Sequence, residues 1–151
     1  MIKYIKDNLF TTEANIIAHG CNMQGVMGAG IAKEIRFYYP KAYLEYKNQY
    51  ENHGLELGLV IWARSKDKYI ANCITQKYYG YDGKVYVDYD AISKCMRKIH
   101  IYSKVAPELS VAMPKIGAGL GGGDWNIIEK IINKEFKDKE VLVYDLEYKK
   151  Y

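Results

Sequence analysis

Hydrophobic and polar positions alternate or cluster along this chain in a way that marks out strands and helices in turn. Ile2-Lys-Tyr-Ile-Lys6 alternates and reads as a first, partly exposed strand. Asp7-Asn-Leu-Phe10 turns the chain, with side chains suited to Asx turns. Asn15–His19 is a short run with an apolar centre, Ile16-Ile-Ala18, and reads as a buried strand. Residues 28–38 carry a helical pattern that Pro40 ends, because the residue before a proline is pushed out of the α region. Lys41–Asn52 forms a second helix, with Ala42, Tyr43, Tyr46 and Tyr50 at helical spacing and Gly54 as C-cap.

Leu57–Ala63 and Lys68–Ile74 read as two strands joined by the polar turn Arg64–Asp67. Thr75–Lys84 is loop, with Gly80 and Asp82-Gly83 as turn signals. Asp88 or Asp90 begins a helix to about Val105, with Ile92, Met96, Ile99 and Tyr102 along one face. Leu109–Met113 is a strand, Pro114–Gly123 a glycine-rich loop, Asp124–Lys137 a capped helix and Glu140–Leu146 a last strand. Strands interleaved with helices predict an α/β fold, a three-layer α/β/α sandwich around a central mixed sheet, built as one domain over residues 1–151.

Two segments stand out, because each follows a buried strand and precedes a helix. The first is residues 19–32, the second residues 114–123. In open α/β sheets ligands sit outside the carboxyl ends of strands, at such loops. Helix N-terminal N–H groups lack intrahelical acceptors and favour anions, and Gly28 and Gly30 let a ligand come close to the backbone. The second loop has five glycines within residues 117–123, a density that exposes successive N–H groups and suits a phosphate nest. It is neither a Walker loop nor a dinucleotide fingerprint.

Composition narrows the class. Apolar residues make up 49% and charged residues 26%, ordinary for a soluble protein. No run approaches the ~18 apolar residues of a membrane span, and the N-terminus lacks a signal-peptide core. Three irregularly spaced cysteines give neither a disulfide framework nor a zinc pair, so a cytoplasmic, reducing setting is expected. The net charge of +4 comes from lysines spread along the chain, with clusters only at Lys130–Lys139 and Lys149-Lys150, which reads as a solvated surface rather than a nucleic-acid footprint. The sixteen tyrosines suit half-buried surfaces, their rings apolar and their tips polar.

The candidate chemistry is sparse. His19 ends an apolar strand and admits two roles, a satisfied core histidine or a general acid or base acting on a ligand; its place beside the glycine loop favours the second. Asn22 either orients a hydroxyl or water or is a turn residue. Asp124 reads first as a helix cap, and is also the nearest carboxylate to the second loop. Cys21 is a poor nucleophile candidate, since adjacent residues point in different directions. No serine has a nucleophile-elbow context, and no His/Cys/carboxylate set has metal spacing. His53 and His100 read as structural.

His19-Gly-Cys-Asn-Met-Gln-Gly-Val-Met-Gly-Ala-Gly-Ile-Ala32 together with Met113-Pro-Lys-Ile-Gly-Ala-Gly-Leu-Gly-Gly-Gly-Asp-Trp125 resembles the macro domain family. The resemblance extends from Lys6–Phe10 to Val143–Leu146. It is strongest for the subgroup holding yeast-type ADP-ribose 1''-phosphate phosphatases, terminal ADP-ribose protein glycohydrolases and DNA ADP-ribosyl glycohydrolase antitoxins. It implies an adenine contact at Asp7-Asn8, where Asp7 replaces a glycine. It implies a distal ribose and diphosphate held by Asn22, Gly28, Ala29, Gly30 and Ile31. The second loop then wraps the diphosphate with Ile116, Gly117, Ala118, Gly119 and Leu120, and Tyr144 lies near the adenine. Cys73-Ile-Thr-Gln76 is similar to the protein glycohydrolase type and places Thr75 and Gln76 beside the ligand. That type has a lysine where Gln76 stands and an aspartate where Gly121 stands.

The resemblance therefore implies a cofactor-free, metal-free phosphatase acting on ADP-ribose 1''-phosphate, with His19, Asn22 and Asp124 as the catalytic set. Its alternatives are removal of ADP-ribose from protein or nucleic acid, and a reader that binds ADP-ribose without turnover. The expected partners are ADP-ribose, its 1''-phosphate and ADP-ribosylated macromolecules, with no membrane, and the chain is expected to act as a monomer.

Overall fold

The computed structural model describes residues 1–80, 82, 84–105 and 107–148; the turn signal at Gly83 and the Lys149-Lys150 pair lie outside the described residues. The strands are β1 (Ile2–Ile5), β2 (Ile16–Cys21), β3 (Val60–Ser65), β4 (Lys68–Ile74), β5 (Val111–Pro114) and β6 (Val141–Tyr144). The helices are α1 (Gly30–Tyr38), α2 (Pro40–Asn52), α3 (Tyr89–Ser103) and α4 (Trp125–Phe136), with a 3-10 turn at Leu9–Thr11. The six strands form one sheet in the order β1-β6-β5-β2-β4-β3. All neighbours pair parallel except β3 and β4, which form the antiparallel hairpin expected from their short polar turn.

The local punctuation follows the sequence closely. Pro40 sits at N1 of α2, where its missing N–H costs nothing. The break at Tyr39 therefore separates two helices rather than kinking one. Asp88 caps α3 by accepting from the Ala91 N–H, and Asp124 caps α4 by accepting from the Asn126 N–H. The residue after α2 is His53, and Gly54 follows it with φ of 79°.

Strand alternation divides the core in two. Ile16, Ala18, Ala71, Cys73 and Met113 face α3 and α4, where they meet Ile92, Met96, Ile99, Ile128, Ile132 and Phe136. Ile17, Ile70, Ala63 and Ala112 face the opposite way, toward Ile35, Tyr39 and Ala42 of α1 and α2. Central strands covered on both faces read as continuous apolar runs, as β2 does. The chain leaves β2 toward β3 and β4 on one side and passes through α3 to β5 on the other. The carboxyl ends of β2, β4 and β5 consequently open onto one crevice, at the point where the strand order reverses.

Candidate functional site

The first wall of the crevice is the loop between β2 and α1, and Asn22 organises it. The Asn22 side-chain oxygen accepts from the Gln24 N–H at 2.8 Å, while its amide nitrogen donates to the Val26 carbonyl at 3.1 Å. The fully buried Tyr46 hydroxyl stands 2.9 Å from the same oxygen and accepts from the Gly25 N–H at 3.1 Å. Met27 is buried beneath the loop against Tyr46 and Cys21. The loop then enters α1 through Ala29, which has no side-chain cap. The first intrahelical bond runs from the Lys33 N–H to Ala29, so the N–H groups of Gly30, Ile31 and Ala32 remain without helical acceptors at the crevice.

The second wall follows β5. Tight bonds fold it, from the Ala118 N–H to Lys115, the Gly122 N–H to Gly119 and the Gly123 N–H to Gly117. Gly117 takes φ of 77°, a left-handed value that an L side chain rarely adopts. The segment before α3 pins the loop from outside, since the Tyr86 and Val87 N–H groups both donate to the Gly121 carbonyl. Folded this way, the N–H groups of Gly119, Leu120 and Gly121 donate to no main-chain acceptor among the described residues. A Cβ added at Gly28 or at Gly119 would meet nothing within 4 Å. No described protein atom excludes a side chain at either position, and both line the crevice.

The end of β4 makes the floor and third wall. Thr75 is fully buried over Gly20, and its hydroxyl has no hydrogen-bond partner among the described residues. Gln76 donates through Nε2 to the Tyr78 carbonyl at 2.7 Å. Its Oε1 lies against Gly121, where an added Cβ would come within 3.0 Å of it and within 2.7 Å of the Gly117 carbonyl. The Tyr79 N–H donates to Gln24 Oε1 at 3.1 Å, joining this wall to the first loop. Lys115 stands beside the second loop, its Nζ 3.9 Å from Asp145 and 5.6 Å from the Trp125 ring centre. Together the walls enclose about 590 Å³, and no aspartate or glutamate is among the lining residues.

Most of the expected site residues meet here: Asn22, Gly28, Ala29, Gly30, Ile31, Thr75, Gln76, Ile116, Gly117, Gly119 and Leu120 all line the crevice, and His19 borders it. Others do not. Ala118 lies in the second loop without lining the crevice. Asp7 and Asn8 instead form the turn after β1, where Asp7 accepts from the Asn8 N–H and Asn8 caps the 3-10 turn. Tyr144 pairs in register with Ile5 and Pro114, further along the same sheet edge, outside the lining. Asp124 is exposed at the α4 cap, with its N–H donating to the Tyr89 hydroxyl. That carboxylate caps the helix end and is not among the crevice lining residues.

His19 lines the crevice from the end of β2 and is buried there. It is 1% exposed, with Nε2 2.5 Å from Asn72 Oδ1. The Asn72 amide nitrogen donates to the Ala42 carbonyl at 3.0 Å, which can only accept. Asn72 therefore presents its oxygen to the ring, and Nε2 carries the proton in the neutral form. Burial holds the His19 pKa down at about 4, opposed by the Asn72 hydrogen bond. Burial favours the neutral ring, consistent with the satisfied core histidine that its apolar strand also allowed. Cys21 is buried as well, and burial pushes its thiol well above the usual range. Its thiol stays protonated and unreactive.

Val26, Met27, Tyr79, Lys115 and Gly121 line the crevice without having been singled out from sequence as ligand contacts. Lys115 was legible as the cation inside the second motif. Tyr79 lay within a tyrosine-rich loop that carried no periodic signal. Among the described residues no His/Cys/carboxylate group could hold a metal, and no helix is long and apolar enough to cross a membrane.

Comparison with known proteins agrees with this architecture. The family model described as Macro domain matches residues 18–132. An ADP-ribose 1''-phosphate phosphatase from Debaryomyces hansenii is 32% identical, over 95% of this chain and 98% of the relative. A DNA ADP-ribosyl glycohydrolase from Mycobacterium tuberculosis is 28% identical over 95% of this chain, which spans 42% of that longer protein. A solved structure from Bacteroides thetaiotaomicron, described as a protein of unknown function, is 31% identical, covers 97% of this chain and 98% of its own, and superposes with a TM-score of 0.86. The chain belongs to the Macro domain family.

Proposed function

We propose that this protein binds ADP-ribose and hydrolyses ADP-ribose 1''-phosphate to ADP-ribose and phosphate. One observation carries the reading: two arrays of main-chain N–H groups without protein acceptors among the described residues, from α1 and from residues 119–121, meet at a crevice with no acidic side chain among its described lining residues. A diphosphate bridged between the two arrays takes up those donors at once. A second, terminal phosphate is tolerated because no carboxylate repels it. Phosphoryl transfer passes through a loose transition state that needs positioning and charge stabilisation more than covalent help from the protein. Fixed N–H dipoles supply both. The relationship to the Debaryomyces phosphatase supports this choice of substrate.

Removal of ADP-ribose from DNA is the second reading, supported by the mycobacterial relative. The two readings are separated by incubating the protein with ADP-ribose 1''-phosphate, with ADP-ribosylated DNA and with ADP-ribosylated protein. Release of phosphate from the first and no ADP-ribose from the others is expected. Release of ADP-ribose from DNA without phosphatase activity transfers the assignment to the second reading. Tight ADP-ribose binding with no product from any of the three makes the protein a reader.

A further inference from the structure

We propose that Gln76 orients the attacking water for phosphate release; this rests on the phosphatase reading and names the group that performs its hydrolytic step. The Tyr78 carbonyl can only accept a hydrogen bond, so the 2.7 Å contact fixes the Gln76 amide with nitrogen toward Tyr78 and oxygen toward Gly121, and Gln76 and Gly121 both line the crevice. Gln76 Oε1 receives no protein hydrogen bond among the described residues. The side chain is also held in place: its main chain bridges Val87, and the adjoining Tyr79 N–H is tied to Gln24.

Apart from the exposed Tyr79, the other polar side chains of the lining are committed elsewhere or sealed. The Asn22 oxygen serves Gln24 and Tyr46. The His19 ring and Cys21 thiol are buried. The Thr75 hydroxyl is shut beneath the floor. Lys115 is a donor without acceptor capacity. Gln76 thus supplies a fixed acceptor against Gly121, at the end of the donor array that takes the diphosphate, and the assignment places the terminal phosphoryl group beside it.

A carboxamide cannot take a proton at neutral pH, so Gln76 acts on direction alone. Its oxygen accepts one hydrogen of the water and turns a water lone pair toward phosphorus. The new water-oxygen–phosphorus bond forms as the bond from phosphorus to the 1''-oxygen breaks. The proton displaced from the water passes by way of a phosphoryl oxygen to the departing 1''-oxygen, leaving ADP-ribose and hydrogen phosphate. Orienting a water by a glutamine amide is established chemistry for phosphoryl transfer.

The test compares wild type, Gln76→Met and Gln76→Glu by kcat, KM, ADP-ribose affinity and pH profile. Met keeps the side chain's length and removes the acceptor. It is expected to lower kcat by about 100-fold, the scale of losing correct positioning, with KM and ADP-ribose affinity within about threefold of wild type. Glu in its ionised form repels the phosphate, while its neutral form still offers a carbonyl acceptor. The ratio of its kcat to that of wild type is therefore expected to rise as pH falls toward 5, a response that a purely structural role does not give. An active wild type alongside a Met variant of unchanged kcat overturns the assignment alone, as does a proportionate loss of affinity and rate. A wild type that binds ADP-ribose but releases no phosphate overturns the phosphatase reading and this assignment with it.

Discussion

His19 Nε2 and Asn72 Oδ1 lie 2.5 Å apart beneath the crevice floor, and the Asn72 amide is itself anchored to Ala42 of α2. This chain ties β2 and β4 to the helix that holds the first loop from behind. Burial, working against the Asn72 hydrogen bond, keeps the histidine neutral. The folded chain refuses a proton until about pH 4, whereas an unfolded histidine takes one up near 6.5. Between those values the unfolded state binds more protons, so stability falls as pH drops through this window and is level with respect to His19 above it. The full effect is about 3 kcal/mol. Thermal unfolding of wild type and His19→Gln between pH 4 and 8 checks it. Wild type is expected to lose the larger share of its stability below pH 6.5, and equal slopes for both proteins contradict the linkage.

The order of strands and helices was legible because alternating or continuous apolar runs give way to helical spacing along the chain. The capping aspartates at 88 and 124 and the break at Pro40 fall where local chemistry requires them. The two glycine loops were legible as a pair because each links a buried strand to a helix. What could not be read was the direction of side chains at strand ends. Alternation along β2 sends His19 with Ile17 and Cys21 to the α1/α2 face and Gly20 to the other. The sequence spacing between His19 and the glycines carries no information about that choice. For a related reason, a carboxylate close in sequence to a loop, such as Asp124, can face the helix that follows rather than the loop.

Gly119 separates ligand binding from folding. A Cβ there meets nothing within 4 Å, so Gly119→Glu is expected to shift the melting temperature by no more than about 2 °C. The carboxylate enters the crevice where the diphosphate is placed and is expected to weaken ADP-ribose binding by at least about 100-fold. Calorimetric titration beside thermal unfolding checks both. Retained affinity removes the second loop from the binding site.

Gly122 gives the opposite pattern. It has φ of 69°, and an added Cβ would collide with the Lys84 carbonyl. Gly122→Ala must move the second loop away from the segment that pins it. A loss of about 1–3 kcal/mol in denaturant unfolding is expected, together with loss of ADP-ribose binding. An alanine variant as stable as wild type contradicts the close approach of these two segments.

Tyr46 tests the scaffold behind the first loop. Its hydroxyl accepts from the Gly25 N–H and stands within hydrogen-bond distance of both the main-chain and side-chain oxygens of Asn22. Tyr46→Phe leaves the Gly25 N–H without that acceptor at a cost of about 1–3 kcal/mol. ADP-ribose affinity is expected to fall through the displaced loop, although Tyr46 does not line the crevice. A phenylalanine variant with unchanged stability and affinity removes Tyr46 from that role.

Phosphorus NMR of ADP-ribose 1''-phosphate incubated with the wild-type protein bears most directly on the proposed activity. The account predicts that the terminal phosphate resonance is replaced by inorganic phosphate while both diphosphate resonances persist, and that Gly119→Glu abolishes the change. A terminal phosphate resonance that remains unchanged with wild type, or a diphosphate that is cleaved instead, contradicts it.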